Sequence, residues 1–104
     1  MVQITEQMER IFSENPLYSK DGQGMDAKVI ARFYILGTTI QWLVTEASIE
    51  DGRWILYGYA HIFEWEWGYV SLNELLGIQL MGLDVAVSIF DYADQKSVRI
   101  FNFI

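Results

Sequence analysis

The chain has 104 residues, one domain's worth, with 52% hydrophobic and 20% charged residues and a formal charge of −7. So much apolar side chain excludes disorder and low-complexity character, and the absence of cysteine excludes disulfides, zinc–thiolate sites, iron–sulfur clusters and thiol catalysis. A single histidine leaves no two-histidine metal site, and a pI near 4.4 with singly scattered basic residues argues against direct nucleic-acid binding, which needs phosphate neutralisation.

From Val2 to Glu14, Ile4, Met8, Ile11 and Phe12 fall at i, i+4, i+7 and i+8, which predicts an amphipathic helix with Glu6 and Arg10 paired on its surface. Asn15-Pro16 ends it, because the residue before proline is pushed out of the helical region. Leu17 to Asp26 reads as a loop with Asp21-Gly22-Gln23-Gly24 as its turn chemistry. The GxGxxA spelling from Gly22 to Ala27 is not a dinucleotide fingerprint, since a β-like run follows it where a helix is needed.

From Lys28 the period becomes two. Val29, Ala31, Phe33 and Ile35 alternate with Ile30, Arg32 and Tyr34, and after a Gly37-Thr38-Thr39 turn Ile40, Trp42 and Val44 alternate in a second strand. Asp51-Gly52 is a hairpin signal. Between Tyr57 and Tyr69 every odd position is aromatic or histidine: Tyr57, Tyr59, His61, Phe63, Trp65, Trp67 and Tyr69. A mean strand is only about five or six residues, so a break near Glu64 is expected within this run.

Ser71-Leu72-Asn73-Glu74 spells a capping box, with Val70 and Leu75 as its staple, and the short helix it opens should end by Gly77. Leu83, Val85, Val87 and Ile89 alternate in a further strand, Tyr92 to Gln95 reads as a turn, and Val98 to Phe103 as a last β-like run. The sum is a single α+β domain over 1–104: a mostly antiparallel sheet of five to six strands, an N-terminal helix and one short central helix, with the helices covering one face.

No apolar run approaches the roughly 18 residues needed to cross a bilayer, and Met1 to Arg10 lacks the pattern of a signal peptide, so a cytoplasmic protein is expected. Glu64 and Glu66 lie two apart, which on a strand puts both on one face with Cβ atoms roughly 7 Å apart, a spacing compatible with acid/base work. The same alternation with Trp65 and Trp67 also fits a strand with one wet and one buried face. His61 is the single histidine, and as a structural residue among aromatics it needs no catalytic role. No GxSxG elbow supports a serine nucleophile. Metal ligation would require Glu46, Glu64 and Glu66 to converge from separate segments; no metal and no cofactor is expected.

Several stretches carry a family resemblance. In order they are Pro16-Leu17-Tyr18-Ser19, an Asp/Gly-rich loop, Val29-Ile30-Ala31-Arg32-Phe33-Tyr34, Trp42-Leu43-Val44-Thr45-Glu46, Leu56-Tyr57-Gly58-Tyr59 and Glu64-Trp65-Glu66-Trp67-Gly68-Tyr69-Val70-Ser71-Leu72-Asn73-Glu74-Leu75. Over roughly residues 16 to 76, and only weakly from Leu83 on, the chain resembles the uncharacterised bacterial family called domain of unknown function 2958. A second tryptophan that the family carries near Trp42 is absent here, where Ile40 and Leu43 flank Gln41-Trp42. The resemblance implies no catalytic residues. Members often travel on plasmids and other mobile elements, which implies an accessory role.

The leading expectation is a non-enzymatic protein-interaction domain. Glu64, Trp65, Glu66, Trp67 and Tyr69 are its contact residues, because tryptophan and tyrosine dominate interface hot spots. Whether the aromatics from 57 to 69 are core or exposed stays open, as does homo-oligomerisation. One alternative is an acidic mimic of nucleic acid that inhibits a host defence or DNA-handling protein, which requires the acids to cluster on one face. The other is a small enzyme using Glu64, Glu66 or His61, which requires a concave pocket holding at least two of them. No membrane partner is expected.

Overall fold

A computed structural model describes residues 4–80, 82–92 and 97–104. The first helix, α1 (Glu6–Ser13), starts later than its apolar spacing suggests because Thr5 is the N-cap: its Oγ1 accepts from the Met8 N–H at 3.1 Å. Val2 lies outside the described residues, and Ile4 is exposed ahead of the helix. Met8, Ile11 and Phe12 are the buried stripe. Arg10 does not pair with Glu6; it reaches Glu14 at 3.4 Å and the nearly buried Asp91.

The main sheet is antiparallel in the order β4-β3-β2-β1-β7, built from β1 (Ala31–Tyr34), β2 (Gln41–Glu50), β3 (Arg53–His61), β4 (Trp65–Ser71) and β7 (Ala86–Ile89). A separate two-stranded ribbon joins β5 (Gln79–Leu80) to β6 (Leu83–Asp84). The β2–β3 hairpin turns on Asp51 (φ 51°) and Gly52 (φ 75°), two left-handed residues whose twist matches the flanking strands. The break expected near Glu64 is the turn between β3 and β4, and it leaves Phe63 96% exposed.

Ser71 Oγ accepts from the Glu74 N–H at 3.0 Å while Glu74 Oε1 accepts from the Ser71 N–H at 3.3 Å, so the capping box forms and opens α2 (Leu72–Leu76), which ends at Gly77. Both helices pack on one sheet face. Their Met8, Ile11, Phe12, Leu72 and Leu75 meet Ala31, Phe33, Trp42, Val44, Ala47 and Leu56 in the main core.

Three features depart from the period-two reading. The register of β2 against β3 shifts between Val44 and Glu46, so the strand carries a bulge and runs on to Glu50. Alternation also slips ahead of β1: Ile30 joins the main core, whereas Val29 goes to a smaller cluster with Ala27, Leu43 and Ile100 on the opposite face. Val85 turns into the main core and divides the expected 83–89 strand into β6 and β7.

The chain from Val98 to Phe103 is not a strand. It holds one bridge, Lys28 to Arg99, and then a 3-10 turn at Ile100–Asn102. Asn102 Oδ1 accepts from the Arg99 N–H at 2.8 Å, a local bond that competes with strand pairing. Ile100, Val98 and Phe103 instead cover part of the second sheet face. Of the expected Tyr92–Gln95 turn, only Tyr92 is within the described residues.

Candidate functional site

Antiparallel register places directly opposed residues on the same face. Across β3 and β4 the opposed pairs are Tyr57–Tyr69, Tyr59–Trp67 and His61–Trp65 on one face, and Leu56–Val70, Gly58–Gly68 and Ala60–Glu66 on the other. The first face points away from the helices and carries a continuous row of rings. Trp67 lies 4.7 Å from Tyr59 and 5.7 Å from Tyr57, Trp65 stacks on Tyr59 at 5.0 Å, and His61 meets Trp65 edge-on at 5.2 Å. The row is graded in exposure. Tyr59 and Trp65 are partly covered by the smaller cluster, but Trp67 is 37% and Tyr69 56% exposed.

The loop after α1 borders this row. Glu46, only 3% exposed, holds the loop with both carboxylate oxygens: Oε1 accepts from the Tyr18 N–H at 2.9 Å and Oε2 from the Lys20 N–H at 2.8 Å. Ser48 Oγ accepts from the Leu17 N–H at 2.9 Å. The bulge supplies the geometry, since it brings Glu46 opposite Tyr57 on the aromatic face and leaves Ala47 facing the core. Tyr18 adopts a left-handed φ of 72°, and its hydroxyl hydrogen-bonds Tyr69, which raises the Tyr69 phenol above its ordinary range. Lys20 Nζ donates to the Thr45 and Lys28 carbonyls. Burial lowers its pKa to about 8, against the opposing pull of the Glu46 charge. A hollow of about 310 Å³ lies between Lys20, Thr45, Glu46, Tyr57 and Trp67.

On the helix side, β3, β4 and α2 enclose a larger cleft of about 580 Å³. Gly58, Gly68 and Ala60 line it with Trp42, Val70 and Ile78, and Glu66, Asn73 and Glu74 bring polar groups to it.

The five contact residues read from sequence therefore lie on one edge strand and its approach, divided between two faces. Trp65, Trp67 and Tyr69 belong to the aromatic row, Glu66 to the helix-side cleft, and Glu64 to the exposed turn before β4. Glu64 and Glu66 do not share a strand face, because Glu64 precedes the strand. His61 sits on the face opposite Glu66, with its Nδ1 3.2 Å from the Thr39 carbonyl. Glu46, Glu64 and Glu66 do not converge: the first is taken up by backbone N–H groups on the aromatic side.

The roles of Tyr18 and Lys20 beside the aromatic row, and of Glu46 in holding the loop, arise from contacts between distant segments. A charged residue inside an apolar strand run was the signal for Glu46, and glycine between Trp67 and Tyr69 was the signal for the cleft.

The family described as a protein of unknown function, DUF2958, matches residues 3–100. The chain belongs to that family. DUF2958 membership extends the resemblance read from residues 16 to 76 on both sides, taking in α1, β7 and the start of the C-terminal turn. Four stretches behind the resemblance, at Tyr18, Glu46, Tyr57 and Trp67, meet around the loop that Glu46 holds. No curated protein and no solved structure matches the chain. Among the described residues, no helix is long and apolar enough to cross a membrane.

Proposed function

We propose that this DUF2958 chain is a non-enzymatic protein-interaction domain, an accessory of a bacterial mobile element acting in the cytoplasm. Its contact surface is β4 with the turn before it: Glu64, Trp65, Glu66, Trp67 and Tyr69. The observation that carries this reading is the uncovered end of the aromatic row, Trp67 and Tyr69, on a strand at the edge of the sheet. Large exposed rings on an edge strand are a liability unless a partner covers them.

The occupant is an extended segment of another protein that adds along β4, with basic side chains toward Glu64 and Glu66 and apolar ones on Trp67 and Tyr69. Charge complementarity favours it, since the chain carries −7 and two carboxylates flank the strand's start. The same carboxylates oppose self-pairing of two copies along this edge.

The acidic-mimic reading needs one acidic face. Here Glu6 and Glu9 belong to α1 and Glu14 caps its C-terminus, while Asp21 lies beside the aromatic row and Asp51 at the hairpin tip. The enzyme reading needs at least two of Glu64, Glu66 and His61 in one pocket, and of the three only Glu66 lines the large cleft.

The test is the double variant Trp67→Ser/Tyr69→Ser. Contact residues should lose the partner while the melting temperature stays within a few degrees of the parent. Collapse of the fold, with Phe63→Ser as an exposed control, would make the rings core instead.

A further inference from the structure

The helix-side cleft has a property that the interaction reading does not use. Its volume of about 580 Å³ falls within the roughly 300–1,000 Å³ of small-molecule sites. Part of that space exists because position 68 has no side chain. A Cβ built on Gly68 meets nothing within 4 Å, and Gly68 has no left-handed φ that would demand glycine. Its opposite number, Gly58, is glycine for a plain reason: a Cβ there would lie 1.9 Å from the Leu43 carbonyl oxygen. Gly68 has neither a conformational nor a packing demand of its own, and strand glycines often mark a site where a ligand or another backbone approaches closely.

The lining says what that group is. Trp42, Val70 and Ile78 give apolar walls, while Glu66 and Glu74 are the charged residues of the lining, with no Lys, Arg or His among them. Neither carboxylate has an ion-pair partner among the described residues. Glu74 Oε1 serves the capping box, which leaves its other oxygen uncommitted. An indole wall also attracts a cation, more strongly than the other aromatic rings do.

We propose that this cleft binds a small organic cation, an amine or quaternary ammonium on a hydrocarbon or aromatic body. The apolar part rests over Gly68 between Trp42, Val70 and Ile78, and the charge is held by Glu66 and Glu74. The side chains of the aromatic row point to the other face of the same strands, although Tyr57, Trp67 and Tyr69 also border the cleft.

The experiment is a titration of the ¹⁵N-labelled full chain with phenethylammonium and with benzyltrimethylammonium, followed at the Gly68 and Gly77 amides. 2-Phenylethanol and 3-phenylpropanoate serve as neutral and anionic counterparts. At least one cation should give saturable shifts at both glycines, with an apparent affinity at least tenfold above that of the alcohol, and the carboxylate should give none. Gly68→Val, which puts a branched side chain where the apolar body would rest, should abolish the response, and Glu66→Gln should weaken it about five- to tenfold. Should Gly68→Val fail to fold, Glu66→Gln at the exposed rim decides alone. The proposal is overturned if neither cation saturates, if the carboxylate or alcohol binds as well as the cations, or if both folded variants respond like the parent.

Discussion

Gly58 and Gly68 face each other across β3 and β4, yet only Gly58 is required by the fold. The β2 bulge brings the Leu43 carbonyl so close to Gly58 that any side chain there would strike backbone, which cannot swing aside. Gly58 thus lets β3 follow the bulge that presents Glu46 to the loop, while Gly68 leaves the cleft open.

Gly58→Ala should therefore destabilise the protein by at least about 2 kcal/mol, since relief requires the backbone to move. Gly68→Ala should be neutral or stabilising by about 0.5 kcal/mol, through the lower entropy of the unfolded chain. Urea denaturation of the two variants reads the difference; equal losses would mean that the bulge does not press on Gly58.

Glu46→Gln should cost about 2–3 kcal/mol. The replacement keeps the shape but turns one acceptor into an amide donor facing the Tyr18 or Lys20 N–H, leaving a buried donor unsatisfied. The loop should loosen first, so hydrogen exchange at the Tyr18 and Lys20 amides should accelerate more than at core strand amides. Uniform acceleration would place the role of Glu46 in global stability alone.

Lys20 makes stability depend on pH with a definite sign. Its folded pKa of about 8 lies below the ordinary 10.5, so between those values the unfolded chain holds a proton that the folded chain has released. Stability therefore gains from raising the pH through this window. Solvent reaches a half-buried ammonium, which limits the gain to about 1–2 kcal/mol. Above pH 10 the raised phenols oppose it: the Tyr18 hydrogen bond holds Tyr69 protonated and burial does the same for Tyr92. Comparing the parent with Lys20→Met by urea melts at pH 7, 8, 9 and 10 isolates the lysine. The parent should gain on the variant as pH rises, and parallel profiles would refute the depressed pKa.

Ser71→Ala should cost on the order of 1 kcal/mol, because it strips the acceptor from the Glu74 N–H at the start of α2. Ser71→Asp, which also caps, should recover most of it in the same denaturation assay; a loss equal to that of alanine would mean that packing of the buried Ser71 dominates.

Local chemistry was legible in the sequence wherever a few neighbouring residues determine the backbone. Ser71 and Glu74 announced α2, Asp51-Gly52 announced the hairpin, and the length of the aromatic run announced the turn near Glu64. What was not legible depends on contacts between distant segments. Nothing in the Trp42 to Glu46 stretch reveals a bulge, yet the bulge decides that Glu46 faces the loop. The alternation of Glu66 with Trp65 and Trp67 promised one wet and one buried face, whereas an edge strand with a cleft behind it leaves Glu66, Trp67 and Tyr69 all exposed. The C-terminal run has strand-like residues, but Asn102 and the packing of Ile100 turn it into a 3-10 cap on the second face.

The contact role of β4 is tested most directly by placing a photo-crosslinking amino acid at position 67, at 69 and, as a control, at the exposed hairpin-tip position 50, then mapping the crosslinked peptides in bacterial cells. Positions 67 and 69 should capture one short segment of one protein, with basic and apolar residues alternating along it, and position 50 should not. No crosslink from 67 or 69, or the same products from all three positions, would contradict it.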